Sequence, residues 1–228
     1  MKDYQKSFLN LAIESQALQF GEFTLKSGRQ SPYFFNAANM LKGSNLFQLA
    51  QCYVDAIIDN DIEFDCIYGP AYKGIFLGSI VATVFSEQGK DYPISFNRKE
   101  VKDHGEGGNI IGANPTGKVL IIDDVLSAGT AGRESINSII NHNATPSSFV
   151  VGLDRQEKGV SDESASKELE NEFNMNVTSI VNLDYLITYV SNESELTEYL
   201  EGLNNYSCLL YTSPSPRDRT RSRMPSSA

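Results

Sequence analysis

Two adjacent aspartates, Asp123 and Asp124, follow four apolar residues at 119–122 and precede the small, hydroxyl-rich stretch SAGT at 127–130. Four apolar residues in a row are typical of a strand that is buried on both faces of a parallel sheet, and open α/β sheets bind ligands at the carboxyl ends of such strands. The SAGT stretch offers backbone N–H groups and hydroxyls at the start of a predicted helix, which suits a phosphate monoester. The pattern therefore predicts a sugar-phosphate site.

Two roles for the paired carboxylates remain open at this point. They could hold Mg2+ directly, or they could accept hydrogen bonds from ribose hydroxyls while a bound diphosphate keeps the metal. A strand end followed by an acidic helix N-cap would explain one aspartate but not two acids plus SAGT. The chain has no GxxxxGK[ST] motif, and no GxGxxG follows a first strand, so the Walker A and Rossmann interpretations fail.

The stretch IIDDVLSAGTA at 121–131 resembles the phosphoribosyl pyrophosphate motif of type I phosphoribosyltransferases. The resemblance implies that Asp123 and Asp124 act in catalysis and contact the ribose. It implies Mg2+ as a cofactor, held mainly by the substrate's pyrophosphate, with Asp123 or Asp124 contributing through water. The residues that it assigns to the phosphate cradle are Val125, Leu126, Ser127, Ala128, Gly129, Thr130 and Ala131.

A second resemblance concerns the base. The segment FTLKSGRQSPYFFN at 23–36 is similar to the F-x-L-K-S-G-x-x-S-P-x-F-F signature of orotate phosphoribosyltransferases. It implies that Lys26 contacts the ligand and takes part in catalysis, and that Phe34 and Phe35 border the pyrimidine. The alternative is a hairpin whose aromatic residues belong to the core. Arg155 in LDRQEKG resembles the family arginine that pairs with the orotate carboxylate, which a guanidinium can bind through both oxygens. Ser127 stands where the family commonly has threonine, and it keeps the hydroxyl for an orotate contact.

Two further stretches resemble the family's pyrophosphate-binding elements. GPAYKG at 69–74 implies that Tyr72 and Lys73 bind pyrophosphate. The second stretch resembles the family's R-K-x-x-K-x-H element and comprises Arg98, Lys99, Lys102 and His104. In the family this element reaches the partner subunit's active site, so the resemblance implies a homodimer with shared sites. Lys102 is the residue expected to cap the departing pyrophosphate. The alternative is an exposed basic stretch made flexible by glycine.

The resemblance implies transfer of ribose 5-phosphate from phosphoribosyl pyrophosphate to orotate, in pyrimidine biosynthesis. Two rivals remain. One is another type I phosphoribosyltransferase that acts on a purine or on uracil, and the other is a non-catalytic regulator that only binds phosphoribosyl pyrophosphate.

The elements that must position these residues follow a βαβ rhythm, which predicts an α/β fold with a parallel sheet. We expect helices near 3–19, 45–60 and 75–89 and strands near 66–74, 92–100, 118–122 and 147–159, followed by a strand that runs into a short helix at 178–190. The family's version of this fold has a central, mostly parallel sheet flanked by helices, an N-terminal hood and a mobile catalytic loop. The glycine-rich residues 101–117 are expected to be that loop.

The net charge and the composition of the chain limit the kinds of partner to expect. The net charge of −10 argues against general attraction to nucleic acid or to an anionic membrane, so an anionic ligand must meet a local cationic site. The three cysteines have no metal-binding spacing, and no apolar run is long enough to cross a membrane. We therefore expect reduced thiols, no membrane or nucleic-acid partner, and a cytoplasmic enzyme.

The end of the chain differs in composition. Residues 207–228 are rich in arginine, serine and proline, and we expect them to be disordered and not native to the fold, for example vector-derived or read-through sequence. The functional alternative is a basic tail that binds a partner. Residues 1–206 are expected to form the phosphoribosyltransferase domain.

Overall fold

A computed structural model of the chain describes residues 1–25, 28–98 and 109–212. The central sheet has six strands in the order β5-β4-β3-β6-β7-β8, and every neighbouring pair is parallel except β4 and β5. Its strands are β3 (Cys66–Gly69), β4 (Ile94–Asn97), β5 (Ile110–Gly112), β6 (Lys118–Leu126), β7 (Thr145–Asp154) and β8 (Asn176–Asn182).

Helices cover both faces of this sheet. They are α1 (Asp3–Glu14), α2 (Gly43–Asp59), α3 (Lys73–Glu87), α4 (Thr130–Asn141), α5 (Ala165–Phe173), α6 (Leu183–Asn192) and α7 (Leu200–Thr212), and 3-10 turns occupy Ala37–Met40 and Ser194–Tyr199. Successive residues of β6 point to opposite faces of the sheet and pack into different hydrophobic cores. Leu120 and Ile122 pack with α1, α2 and α3, whereas Val119 and Ile121 pack with α4 and α5. This alternation explains why the strand reads as an unbroken apolar run.

A separate antiparallel hairpin precedes the sheet and forms the hood. It pairs β1 (Leu18–Thr24) with β2 (Gln30–Phe35). The hood is tied to the C-terminal part of the fold, because the ring of Phe20 stacks on Tyr199 at 5.3 Å and β2 contacts α7.

The expected α/β fold with a mostly parallel sheet and an N-terminal hood is confirmed. Several bounds differ. Helix α1 ends at Glu14, and residues 18–24, partly assigned to that helix, form β1. Residues 110–112, expected to be loop, pair with β4 as an edge strand, and α5 was not anticipated. The remainder of the expected mobile loop, up to residue 108, lies outside the described residues.

Helix α7 continues to Thr212, past residue 207 where the disordered tail was expected to begin, and Leu210 is buried in the main core. The division of the chain at residue 207 stays a prediction. An apolar side chain that packs on the core favours continued helix even where the local composition does not. Residues 213–228 lie outside the described part of the chain. Among the helices of that part, none combines the length and the apolar character that crossing a bilayer requires.

Two glycines allow the end of β3 to meet the start of α3. A Cβ added to Gly69 would lie 2.2 Å from the carbonyl oxygen of Gly74. A Cβ added to Gly74 would lie 2.4 Å from the Pro70 ring and 2.7 Å from the carbonyl oxygen of Ile122 in β6. Because these neighbours are backbone or ring atoms, any side chain here would force the β3–α3 turn away from β6.

We expect Gly74→Ala to lower the free energy of unfolding by about 2 kcal/mol or more, since a rigid clash strains the backbone on both sides. Gly43→Ala is the matched control, because nothing lies within 4 Å of a Cβ at that helical position. Urea denaturation of both variants tests this. Equal stability of the two variants would show that the β3–α3 turn can yield.

Candidate active site

The two aspartates lie at the carboxyl end of β6 and are fixed by different partners. The Tyr53 hydroxyl donates to the carbonyl oxygen of Asp123 at 2.8 Å, and the backbone N–H of Asp124 donates to Asp123 Oδ1 at 2.9 Å. The Asp124 carboxylate is buried and receives Lys73 Nζ at 2.6 Å. The predicted acidic pair and the predicted lysine therefore meet, although they come from different strand ends.

Within the part of the chain that the structure describes, Asp123 forms no ion pair, since Lys73 is paired with Asp124. Burial of its carboxyl group, together with the charge of nearby Asp124, raises the pKa of Asp123 to about 7. In the ligand-free protein this carboxyl group therefore holds its proton well above the usual pH range of an aspartate. A ligand that donates hydroxyl groups to it would favour the ionised form.

The loop after β6 opens into the N-terminus of α4. Gly129 is the N-cap of α4, with φ of 80°, a left-handed conformation that glycine adopts without strain. Ser127 is half-buried, and Ala128, Thr130 and Ala131 are exposed, so this part of the predicted cradle is accessible. The Leu126 side chain is buried in the core with α4 and α5, so only its backbone can serve a ligand.

A second loop approaches the aspartates from the end of β3. The peptide between Ala71 and Tyr72 is cis, and the backbone N–H of Ala71 donates to Asn97 Oδ1 at 2.7 Å. Tyr72 is exposed, and Lys73 begins α3. Sequence reasoning missed Asn97; its position at the end of a strand next to β3 was the available signal.

The cationic element after β4 is described only at its start. Arg98 is half-buried, and its backbone N–H donates to the carbonyl oxygen of Asn109 at 2.9 Å. Its Nε atom is buried with no hydrogen-bond partner among the described residues. Lys99, Lys102 and His104, expected to bind pyrophosphate, lie outside the described residues, as does Lys26 of the hood.

The residues expected to hold the base are only partly brought together. Arg155 follows β7 directly, and its backbone N–H donates to the carbonyl oxygen of Leu126 at 3.0 Å, beside Ser127. Phe35 is buried and packs against Phe8, with ring centres 6.1 Å apart, because strand alternation turns this ring towards the core. That Phe34 and Phe35 border a pyrimidine stays a prediction. Phe34 is exposed on the other face of β2 and packs on Phe23.

We predict that Asp123→Asn changes how stability depends on pH. Folding raises the pKa of this carboxyl group, so the folded protein binds the proton more tightly than the unfolded chain does. The free energy of unfolding therefore falls as pH rises from the pKa of the unfolded chain to the folded pKa of about 7. Asparagine keeps the acceptor for the Asp124 N–H and removes this titration. The Tm of the variant should exceed that of the parent by several degrees at about pH 8 and by much less at about pH 5. Thermal melts across this range test it, and parallel curves would contradict it.

Comparison with known proteins places this arrangement in a family. No protein-family model matches the chain. The orotate phosphoribosyltransferase of Salmonella arizonae is 49% identical over 207 residues, which are 90% of this chain and 97% of the relative. That of Saccharophagus degradans is 52% identical over 196 residues, which are 86% and 92% of the two chains.

Solved structures agree with the sequence relatives. The crystal structure of the Francisella tularensis orotate phosphoribosyltransferase superposes with a TM-score of 0.77 at 42% identity, covering 87% of this chain and 96% of that one. The Mycobacterium tuberculosis enzyme in complex with 5-phospho-alpha-D-ribosyl 1-diphosphate shares the fold, with a TM-score of 0.59 at 16% identity over 78% of this chain and 97% of that one. On the identity and coverage of these relatives, the chain belongs to the orotate phosphoribosyltransferase family.

Proposed function

We propose that this chain transfers the ribose 5-phosphate group of phosphoribosyl pyrophosphate to orotate, giving orotidine 5'-phosphate and pyrophosphate. The observation that carries the proposal is the meeting of Asp123, Asp124 and Lys73 beside the open loop that begins α4. This places acceptors for hydroxyls, a cation and amide donors along one edge of the sheet. Family membership supplies the base and the reaction.

The ribose 5-phosphate is assigned to β6 and the loop that follows it. The carboxylates of Asp123 and Asp124 would accept hydrogen bonds from two ribose hydroxyls. The backbone N–H groups of residues 127–131, at the start of a twelve-residue helix, would bind the 5-phosphate, helped by the Thr130 hydroxyl. Ser127 is half-buried in this loop and would supply the hydroxyl for an orotate contact.

The diphosphate is assigned to the cations around this edge. Lys73 is held by Asp124 in the ligand-free protein, and about a third of its side chain is exposed, so it can also face a bound anion. Arg98 begins the next cationic element, and the loop beside it contributes Tyr72. By the family resemblance, the further contributors are Lys99, Lys102 and His104.

Mg2+ is proposed as the cofactor. The oxygen ligands that it prefers are present in Asp123 and Asp124, and Mg2+ commonly joins one or two carboxylates to substrate phosphates. Lys73 already forms an ion pair with Asp124. Among the described residues, no group of three or more potential metal-binding side chains is found. The residues present therefore fit an ion held mainly by the substrate's diphosphate, with Asp123 or Asp124 contributing through water. When bound there it would neutralise charge on the leaving diphosphate.

Catalysis in this proposal is positioning and electrostatic stabilisation. The reaction is a displacement at the anomeric carbon of the ribose, in which the bond to pyrophosphate breaks and a bond to a ring nitrogen of orotate forms. No protein nucleophile is required, because holding the two anions together and stabilising the leaving group supply the rate enhancement. Exclusion of water matters, since water would compete with orotate for the ribose.

By the family resemblance, orotate is assigned to the hood side of the site, where Arg155 and Lys26 would bind it. The guanidinium would pair with the carboxylate of orotate, and Lys26 would contact the ring and assist catalysis. Phe34, whose side chain is exposed, and Phe35 would border the pyrimidine, as the family resemblance implies.

A homodimer in the cytoplasm is also proposed. Large apolar side chains are exposed near the start of α2, where Phe47 is 58% accessible, and Tyr72 is exposed at the start of α3, which packs on α2. The partner subunit would cover this region and receive the cationic element, which comprises Arg98, Lys99, Lys102 and His104. Cys52 and Cys66 are buried free thiols, which suits a reducing compartment.

An assay with purified protein separates the proposal from its rivals. With Mg2+ and phosphoribosyl pyrophosphate, we expect loss of orotate absorbance and release of pyrophosphate, and neither uracil nor adenine should replace orotate. Preference for one of those bases would indicate another phosphoribosyltransferase. Binding of phosphoribosyl pyrophosphate without turnover of any base would indicate a regulator.

Lys102→Ala should lower kcat by about 10²- to 10³-fold while changing the KM for either substrate only modestly, because the lysine is proposed to stabilise charge that develops on the departing pyrophosphate. Lys167→Ala is the control; it removes an exposed lysine from α5. Steady-state kinetics with both substrates varied is the measurement. An unchanged kcat would remove Lys102 from the mechanism.

A further inference from the structure

A group of polar side chains, all buried except the half-exposed Arg29, joins three distant parts of the chain. We call it the Glu157 cluster; it consists of Arg29, Ser31, Tyr33, Arg155, Glu157 and Tyr206. Its members come from the hood, from the segment after β7 and from α7. Sequence reasoning singled out only one of them, Arg155, as a ligand-binding residue.

Glu157 is the hub of this cluster. It is 5% exposed. Its Oε1 atom accepts from Arg155 Nε at 2.7 Å and from the Tyr206 hydroxyl at 2.8 Å, and its Oε2 atom lies 3.2 Å from Arg29 Nη1. Each carboxylate oxygen therefore faces a different arginine.

Arg155 is held along one edge and on one face. Its Nη2 atom donates to Ser31 Oγ at 2.9 Å and to the Tyr206 hydroxyl at 3.3 Å, and its guanidinium lies 4.3 Å from the centre of the Tyr33 ring. Ser31 Oγ is itself fixed, because it donates to the carbonyl oxygen of Tyr33 at 2.7 Å. With Nε and Nη2 engaged and the ring beneath, the plane of the guanidinium cannot rotate without breaking several contacts.

The charges of the cluster are unequal. One carboxylate, Glu157, stands between two guanidinium groups. Asp154 is the nearest additional acid in sequence, but its carboxylate accepts from the Gln156 N–H at 2.8 Å and interacts with Ser166, on the α5 side. Among the described residues, Glu157 is therefore the one carboxylate that pairs with these two guanidinium groups, and a buried guanidinium is stabilised by a further anion.

We propose that Glu157 is a positioning residue for base selection: it holds Arg155, with Tyr206 of α7 as a second support, in the orientation that meets the carboxylate of the pyrimidine. This rests on the proposed function, because it assumes that Arg155 receives the orotate carboxylate. It makes the C-terminal helix a part of the apparatus that distinguishes a carboxylated pyrimidine from a plain one.

The test compares two nucleotides that differ only in this carboxylate. Orotidine 5'-phosphate carries it and uridine 5'-phosphate does not, so the ratio of their dissociation constants reports on the contacts that this carboxylate makes. We expect Glu157→Gln to weaken binding of orotidine 5'-phosphate by about tenfold and to leave uridine 5'-phosphate within about twofold, measured by titration calorimetry. Glutamine keeps the size of the side chain but loses the charge and offers a donor to Arg29.

Tyr206→Phe is the second variant, because its ring keeps the edge contact with Tyr33 while the hydroxyl is lost. We expect a loss of about threefold for orotidine 5'-phosphate only. Glu172→Gln is the matched control, since Glu172 of α5 is another glutamate that forms an ion pair with an arginine, Arg133 of α4. It should change the affinity for neither nucleotide.

The outcomes separate the two proposals. If the parent protein binds both nucleotides equally, the assignment of orotate as the base fails. If the parent prefers orotidine 5'-phosphate, and both variants either keep that preference or weaken both nucleotides equally, Glu157 and Tyr206 are merely structural and the positioning role is overturned. Should Glu157→Gln fail to fold, as judged by circular dichroism, the result with Tyr206→Phe decides alone.

Discussion

The ion pair between Lys73 and Asp124 is the interaction on which the rest of the site depends. A carboxylate at the end of a strand that is buried on both faces is costly without a compensating charge. Lys73 supplies that charge from the neighbouring strand end, which is possible only because β3 and β6 are adjacent and parallel and because Gly69 and Gly74 let their ends approach. The same lysine is then in place beside any anion that enters.

Asp123 is the counterpart of this pair. Among the described residues it forms no ion pair, and its half-buried carboxyl group accepts a backbone N–H. Burial and the charge of Asp124 raise its pKa, so its ionised form is disfavoured until a ligand binds. The two neighbouring acids thus differ in their interactions: Asp124 forms an ion pair with Lys73, whereas Asp123 can accept a hydrogen bond from a ligand. A hydroxylated sugar that also carries a diphosphate satisfies both at once.

The features that could be predicted from the sequence are those that a local residue pattern determines. The apolar run before Asp123, the turn that carries Lys73 and the glycine that begins α4 each lie within a few residues of the feature they create. The edge strand at 110–112 escaped notice because three residues in a glycine-rich stretch carry no period, and it forms only by pairing with β4. The burial of Phe35 depends on Phe8, which lies outside the hairpin. The surroundings of Arg155 depend on Ser31, more than a hundred residues earlier in the chain, and on Tyr206 of α7. No spacing rule reaches that far.

The contacts between the hood and α7 have a consequence for synthesis of the protein. Phe20 of the hood stacks on Tyr199, which directly precedes α7, and Ser31 of the hood meets Tyr206 of α7 through Arg155. The surroundings of Arg155 therefore join segments separated by most of the chain. A ribosome-bound chain could assemble much of the sheet and its phosphate loop before α7 emerges. Long-range closure of this kind is slow compared with local pairing, so discrimination among bases would be the last property that the maturing polypeptide acquires.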